Sequence, residues 1–379
     1  MGFNRNRMKI LYVINSSKFF VSHFSHIASA ASKGGHVIYV AAGDDEEKSF
    51  IESQGFNFHL IDLERSSSNV FTELKSVFSI IKLIRMVKPR VIHSLTIKPV
   101  IYSGFIGKCF SFNSQTRYIF SVTGLGSLSL ASSPFKRILW GLVKYLYKYI
   151  FSNKNSIVVF ENVDDRVFFV SSNLVSFNRS RVINGAGVDV LKFAPSNNIV
   201  LRPKIVCVCR LLKDKGVREY IEAGKILREK GVEVELLLVG SIDEQNPSSL
   251  SENEVLMADK DNNIRYLGFR NDIDMIYAES SVACLPSYRE GLPKSLIEAA
   301  SCGLPIITTN VPGCRQMVFN GRNGILVDVK CARALADAIE TIICNDEMMA
   351  SMGSESRIIA LEYFSNEEIE KKFMTFYGC

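Results

Sequence analysis

Residues 290–298 read Glu290-Gly291-Leu292-Pro293-Lys294-Ser295-Leu296-Ile297-Glu298, two carboxylates eight positions apart around a Gly-Leu-Pro turn. Proline has its φ fixed near the helical value and no N–H to lose, so Pro293 suits the first turn of a helix that runs to Ser301-Cys302 and stops at Gly303-Leu304-Pro305. Glu290 then lies in the loop, and Glu298 about a turn and a half into the helix. The N–H groups of Leu292, Lys294 and Ser295 at such a helix start have no partner within it, and the positive end of the macrodipole favours an anion there such as a diphosphate. One carboxylate can meet sugar hydroxyls beside that anion and the other can meet ribose hydroxyls. An acidic helix cap next to a surface glutamate would produce the same string, so neighbouring segments have to decide.

Upstream, Lys204-Ile205-Val206-Cys207-Val208-Cys209-Arg210 is a short apolar strand, and its loop continues to Lys215-Gly216 before a helix from about Val217. The planar fork of Arg210 and the compact ammonium of Lys215 suit a diphosphate on which negative charge builds during bond cleavage. Leu236-Leu237-Leu238-Val239-Gly240 and Ile264-Arg265-Tyr266-Leu267-Gly268 repeat the pattern of strand and glycine turn expected of a parallel α/β sheet.

These segments resemble the C-terminal half of the retaining glycosyltransferases of family 4. The shared elements are Arg210-x4-Lys215-Gly216, Val239-Gly240, Leu285-Pro286-Ser287, Glu290-x7-Glu298, Gly303-Leu304-Pro305, and the Pro312-Gly313 and Asn323-Gly324 turns, all in the family's order. The resemblance implies an α/β protein of the GT-B fold, two Rossmann-like domains facing across a cleft. It also implies roles: Arg210 and Lys215 hold the donor diphosphate, Glu290 contacts the donor sugar, Glu298 binds ribose, and Gly240, Gly291, Leu292 and Pro293 shape the donor site. Neither a cofactor nor a metal ion is implied. Asp272-Ile273-Asp274 spells a metal-binding Asp-x-Asp, but it precedes an apolar helical run and reads as a helix start.

The N-terminal half opens with the strand Lys9–Ile14, the loop Asn15-Ser16-Ser17-Lys18-Phe19-Phe20, one helix to about Lys33 and a second strand from His36. It is a Rossmann-like start without the Gly-x-Gly-x-x-Gly fingerprint of dinucleotide enzymes. His93-Ser94-x-Thr96-x-Lys98-Pro99-x-x-Tyr102, Val122-Thr123-Gly124-Leu125-Gly126, Phe160-x-Asn162 and Asn184-Gly185-x-Gly187-Val188-Asp189 narrow the likeness to transferases acting on undecaprenyl-diphosphate-linked sugars in O-antigen, capsule or glycan assembly. Ser16, His93, Lys98, Thr123 and Gly124 are the acceptor-side candidates, although a strand-end His is also a common core residue. Two departures stand out: Thr123–Gly126 replaces a loop in which many members carry a histidine, and Gln316 stands where a Glu is usual in this subfamily. The expected division is an acceptor-binding domain over 1–195, a nucleotide-sugar domain over 196–355, with Phe193-Ala194-Pro195-Ser196-Asn197-Asn198 as the linker between them, and a helix within 356–379 that crosses back.

A chain of 379 residues, 47% hydrophobic and 22% charged, can fill two cores. Nine cysteines without Cys-x-x-Cys spacing read as reduced, buried thiols rather than disulfides or zinc ligands. Charge is uneven: residues 1–195 hold 24 Lys+Arg against 12 Asp+Glu, the remainder 21 against 27. No nucleic-acid recognition motif accompanies the basic half. Within it, Ser133–Phe151 interleaves aromatics and leucines with Lys136, Arg137, Lys144 and Lys148 and holds the sole tryptophan, Trp140. Such a segment either lies against an anionic lipid surface or packs on its own domain. The apolar run Ile10–Ile14 is too short for a signal-peptide core or a spanning helix, so the expected location is cytoplasmic, peripheral at the inner membrane face. The implied reaction moves a hexose or N-acetylhexosamine from a UDP-sugar to a polyprenyl-diphosphate-linked saccharide. A sugar-nucleotide epimerase of the same fold and a noncatalytic sugar-nucleotide-binding protein are the alternatives.

Overall fold

A computed structural model describes residues 7–63, 70–110, 115–124, 134–196, 202–243, 246, 248–261 and 264–379, without the side chains of 70, 134–136 and 260–261. Leu125, Gly126, Asn197, Asn198 and the side chain of Lys136 therefore lie outside the described residues. The chain forms two compact units, one of residues up to Ala186 together with Asn366–Cys379, the other Gly187–Ser365.

The first unit is built on seven strands: β1 Lys9–Ile14, β2 Val37–Ala42, β3 Asn57–Leu60, β4 Val91–Leu95, β5 Arg117–Val122, β6 Ser156–Phe160 and β7 Ser180–Val182. They pair in parallel in the order β3-β2-β1-β4-β5-β6-β7. Alternation along β1 serves two cores. Leu11 and Val13 meet Ile84, Val100, Ile106, Tyr147 and Phe169 on one face, while Ile10, Tyr12 and Ile14 meet Phe20, Ile27, Phe373 and Tyr377 on the other. The expected first helix is two, Ser17–His23 and Ser25–Lys33, because Phe24 leaves helical backbone at φ −128° and inserts its ring into the second of these cores.

The second unit holds β8 Lys204–Val208, β9 Glu235–Val239, β10 Ile264–Tyr266, β11 Val282–Leu285, β12 Ile306–Thr309 and β13 Gly324–Val327, parallel in the order β10-β9-β8-β11-β12-β13. Each unit is thus a Rossmann-like sheet whose strand order reverses beside its first strand, between β1 and β4 and between β8 and β11. Ligands of such sheets bind outside the carboxyl ends at these reversals.

The unit boundaries differ from the expected 195/196 and 355/356. The stretch taken as a linker is held by the second unit: Phe193 is in its core, and the Phe193 carbonyl accepts from Ser301 Oγ at 2.6 Å and from Arg357 at 3.0 Å. The Asp189 carboxylate, accepting from the N–H groups of Leu191 and Lys192, closes the preceding turn. Helix Asp346–Ile359 buries Met352 and Ile359 in the second unit, a π turn follows over Ala360–Phe364, and only Asn366–Tyr377 returns to the first, burying Ile369, Phe373 and Tyr377. All nine cysteines are free thiols; Cys207, Cys284, Cys302 and Cys314 are buried, whereas Cys109, Cys344 and Cys379 are exposed.

Candidate functional site

At the carboxyl edge of the second sheet, the loop after β8 and the loop after β11 are locked together. The Tyr288 N–H and the buried Ser287 hydroxyl both donate to the Asp214 carbonyl, at 2.9 and 3.1 Å. Gly216, at φ +71°, lies so close to the Pro286 carbonyl that a Cβ would collide with it, and Gly240 stands in the same relation to the Cys209 carbonyl. Gly240 also donates its own N–H to Gly268, so its part is to let the loops approach rather than to offer a ligand bond.

That approach brings Lys215 Nζ to 2.5 Å from Glu290 Oε1, an ion pair with only 19% and 12% of the two side chains exposed. Burial opposes the charge on Lys215, but the adjacent Glu290 carboxylate outweighs it and the ammonium's pKa is raised, so Lys215 is a cation throughout the neutral range. Arg210, half exposed, points a guanidinium nitrogen at Asp243, 3.4 Å away. The Glu290 N–H is held by the Pro312 carbonyl, which fixes the loop through Gly291 and the buried Leu292 to the helix start.

The helix itself spans Lys294–Ser301, with Pro293 as its extended N-cap. The Tyr277 hydroxyl donates to the Ser295 carbonyl at 2.7 Å and anchors this first turn. Glu298 faces inward beside Lys294, 3.4 Å away, and burial raises its pKa against the pull of Lys294. The two glutamates therefore occupy different surroundings, one paired in the loop and one desolvated on the helix. Asp274 lies in the first turn of helix Ile273–Ala278 and approaches Lys192 at 3.9 Å, while Asp272 is paired with Arg270. Among the described residues no cluster of three or more His, Cys, Asp or Glu side chains is placed to hold a metal ion.

At the carboxyl edge of the first sheet the acceptor-side candidates separate. His93 is fully buried, with Nδ1 2.7 Å from the Tyr377 hydroxyl and Nε2 2.7 Å from Ser121 Oγ, and burial pushes its pKa down to about 3. It is a neutral core residue, and its suggested contact with an acceptor is withdrawn; β4 is covered on both faces, so its side chains are buried whichever way they point. Lys98 is paired with Glu73 at 2.7 Å. Ser16 precedes helix Ser17–His23 without a side-chain cap bond, and the Ser17 N–H is taken by Asp44 at 3.0 Å. Thr123 and Gly124 follow β5 and are half-buried.

Sequence reasoning missed Thr96 and Asn15, which follow β4 and β1 at the strand-order reversal. Thr96 has φ +72° and ψ 170°, a region costly for a β-branched residue, and its Oγ1 is buried without a hydrogen-bond partner, as is Asn15 Oδ1. An unfilled buried acceptor on a strained backbone is where binding sites concentrate. Thr96 stands within the His93–Tyr102 motif and Asn15 in the loop after the first strand, but nothing in the sequence marks either as a site residue.

Helix Pro134–Phe151 turns Val143, Tyr147, Ile150 and Phe151 into the core. Trp140, half-buried, packs against the same core and stacks on Phe168 with ring planes 14° apart, so only part of its ring faces out. The outward stripe is instead Ile138, Leu142, Tyr145 and Tyr149, flanked by exposed Arg137 and Lys148 and half-buried Lys144.

The chain matches the family described as glycosyl transferases group 1 over residues 192–358, and glycosyl transferase 4-like over residues 9–162. It is 30% identical over 337 residues to the capsular polysaccharide biosynthesis glycosyltransferase CapM of Staphylococcus aureus, covering 84% of this chain and 85% of that one. Over 354 residues it is 27% identical to the N,N'-diacetylbacillosaminyl-diphospho-undecaprenol alpha-1,3-N-acetylgalactosaminyltransferase of Campylobacter jejuni, covering 90% of each. Among solved structures, Anabaena HepE in complex with UDP and glucose superposes with a TM-score of 0.79 at 18% identity, over 98% of this chain and 100% of that one. Fold and matches define a glycosyltransferase of the two-Rossmann GT-B class. Within that class the chain belongs to family 4. These matches lend nothing to the epimerase alternative.

Proposed function

We propose that this glycosyltransferase is a retaining enzyme that moves a hexose or N-acetylhexosamine from a UDP-sugar to a polyprenyl-diphosphate-linked saccharide in surface-polysaccharide assembly, without a metal ion. The observation that carries the proposal is the Lys215–Glu290 pair at the β8/β11 reversal, with Arg210 on the same loop and the start of helix Lys294–Ser301 beside it. In this reading the donor diphosphate takes Lys215 from Glu290. The ammonium and the Arg210 fork then stabilise the departing phosphate, and Glu290 is released to accept a bond from a donor-sugar hydroxyl. Glu298 accepts from ribose. The anomeric C–O bond to phosphate breaks as the acceptor hydroxyl attacks on the same face. The departing phosphate takes the hydroxyl's proton, so no covalent protein nucleophile is required.

Names of the relatives support the substrate classes: one is a capsular transferase, one carries diphospho-undecaprenol in its name, and the structural neighbour was solved with UDP. On the first unit, Thr96 and Asn15 join Ser16, Lys98, Thr123 and Gly124 as residues that would receive the acceptor. Attachment at the cytoplasmic membrane surface is assigned to the stripe Ile138, Leu142, Tyr145 and Tyr149 with Arg137, Lys144 and Lys148. Neighbouring helices extend the apolar surface through Phe71, Leu74, Phe78 and Phe105, all exposed. No helix among the described residues is long and apolar enough to cross a membrane.

The test is a panel of UDP-hexoses and UDP-N-acetylhexosamines with an undecaprenyl-diphosphate-linked saccharide in excess EDTA, reading product mass and anomeric configuration. One donor should give a lipid-linked product of retained configuration. Inversion, or activity that returns only with added Mg²⁺ or Mn²⁺, would contradict the proposal.

A further inference from the structure

The sheet of the first unit begins on cations. Lys9 opens β1, Arg90 directly precedes β4 and Arg117 opens β5, and these three strands are neighbours. Their main chains are joined at this level, the Arg90 N–H donating to the Lys9 carbonyl and the Arg117 N–H to the Arg90 carbonyl, both at 2.9 Å. Lys9 and Arg90 are level with each other and leave one face of the sheet, while Arg117, level with Val91, leaves the other, so positive charge gathers around this edge from both faces. Arg7 and Lys88 join them around a cavity of about 580 Å³ with no Asp or Glu side chain in its lining.

Local bonds position these heads without neutralising them. Lys9 Nζ donates to the Val87 carbonyl at 3.0 Å, and Arg90 donates to Gln115 Oε1. Among the described residues, the ion pairs seen in this unit, such as His26–Glu370, Lys98–Glu73 and those of Lys371, do not involve Arg7, Arg90 or Arg117. The end of helix Val70–Val87 accounts for a cation at Lys88, since positive charge suits a helix C-terminus. It does not account for arginines on two further strands. Guanidinium forks converging on one cavity match tetrahedral oxyanions, each able to take two oxygens at once.

We propose that this cavity is a phosphate-binding site at the amino edge of the first sheet, the opposite edge from Thr96 and Asn15. It would take phosphate groups presented either by anionic phospholipid headgroups or by a soluble diphosphate.

The probe is inorganic pyrophosphate, titrated calorimetrically into the Arg210→Ala/Lys215→Ala protein so that the donor loop does not contribute. The expected result is binding that weakens at least tenfold when Arg90→Gln and Arg117→Gln are added. Pyrophosphate should raise the Tm of the former protein and leave that of the latter unchanged. Flotation of the otherwise native chain, with and without Arg90→Gln/Arg117→Gln, on phosphatidylglycerol and phosphatidylcholine vesicles then assigns the source. Loss of phosphatidylglycerol binding in the variant identifies a lipid headgroup, and unchanged vesicle binding alongside lost pyrophosphate binding identifies a soluble phosphate. Pyrophosphate affinity that is absent, or equal with and without the two glutamines, overturns the site.

Discussion

Four side chains of the second unit, Arg210, Lys215, Glu290 and Glu298, carry the proposed chemistry. Lys215→Ala or Arg210→Ala should lower turnover roughly 10²-fold or more, the scale of removing one transition-state donor, while circular dichroism shows the protein folded; near-normal rates in both would take them out of the site. Glu298 makes a different prediction. A carboxyl whose pKa is raised by folding destabilises the fold increasingly as pH climbs through its ordinary value, about 4.3, and burial raises that of Glu298. Glu298→Gln should therefore increase the Tm of the unliganded protein at pH 7.5, with the gain fading toward pH 4, and should weaken UDP binding. A lower Tm at pH 7.5 would mean that the Lys294 pair outweighs the burial. His93 has the opposite sign: its neutral form is required, so stability should fall as pH drops below about 6.5, by at most about 1.4 kcal/mol per unit, until its folded value of about 3 is reached. Denaturant unfolding of His93→Asn across pH 4–7 should show a flatter dependence than the parent, and an equal slope would place the titrating group elsewhere.

Among elements, helix Pro134–Phe151 shows what could and could not be read from the chain. Its helical period was legible, but both faces are apolar, with Val143, Tyr147 and Ile150 on one and Ile138, Leu142 and Tyr145 on the other. Spacing alone cannot tell which face meets the core, and Trp140, half-buried between the two, does not decide it. With the faces known, replacing Ile138, Leu142 and Tyr145 by Ser removes no buried contact and should release the protein from anionic vesicles while leaving its Tm nearly unchanged. Retained flotation, or a collapse in Tm, would return this helix to intradomain packing. By contrast, the Glu290–Glu298 loop and helix were legible almost to the residue, because Pro293 and Gly303 mark both ends and the chemistry lies within one contiguous stretch. Thr96 and Asn15 were not, because they lie on strands far apart in sequence that only the sheet order makes adjacent.

For the molecule as a whole, two Rossmann-like sheets were foreseeable from repeated apolar strands and glycine turns, but the points where the chain passes between units were not. Pro195 suggested a linker. In fact the carbonyls of Val190 and Phe193 are bound by Arg357, which assigns that stretch to the second unit. The proposed nucleotide-sugar chemistry resides at the β8/β11 edge, with Lys215 exchanging Glu290 for a diphosphate. It is tested most directly by comparing Glu290→Gln with the parent, measuring UDP affinity by calorimetry and transfer to the lipid-linked acceptor by product mass. Hydrogen bonds to a charged acceptor contribute roughly 1.5–3 kcal/mol, and the one proposed for Glu290 is to the donor sugar. Transfer should therefore fall about ten- to a hundredfold, with UDP affinity unchanged or improved as Lys215 is freed. Loss of UDP affinity with transfer per bound donor intact would contradict it.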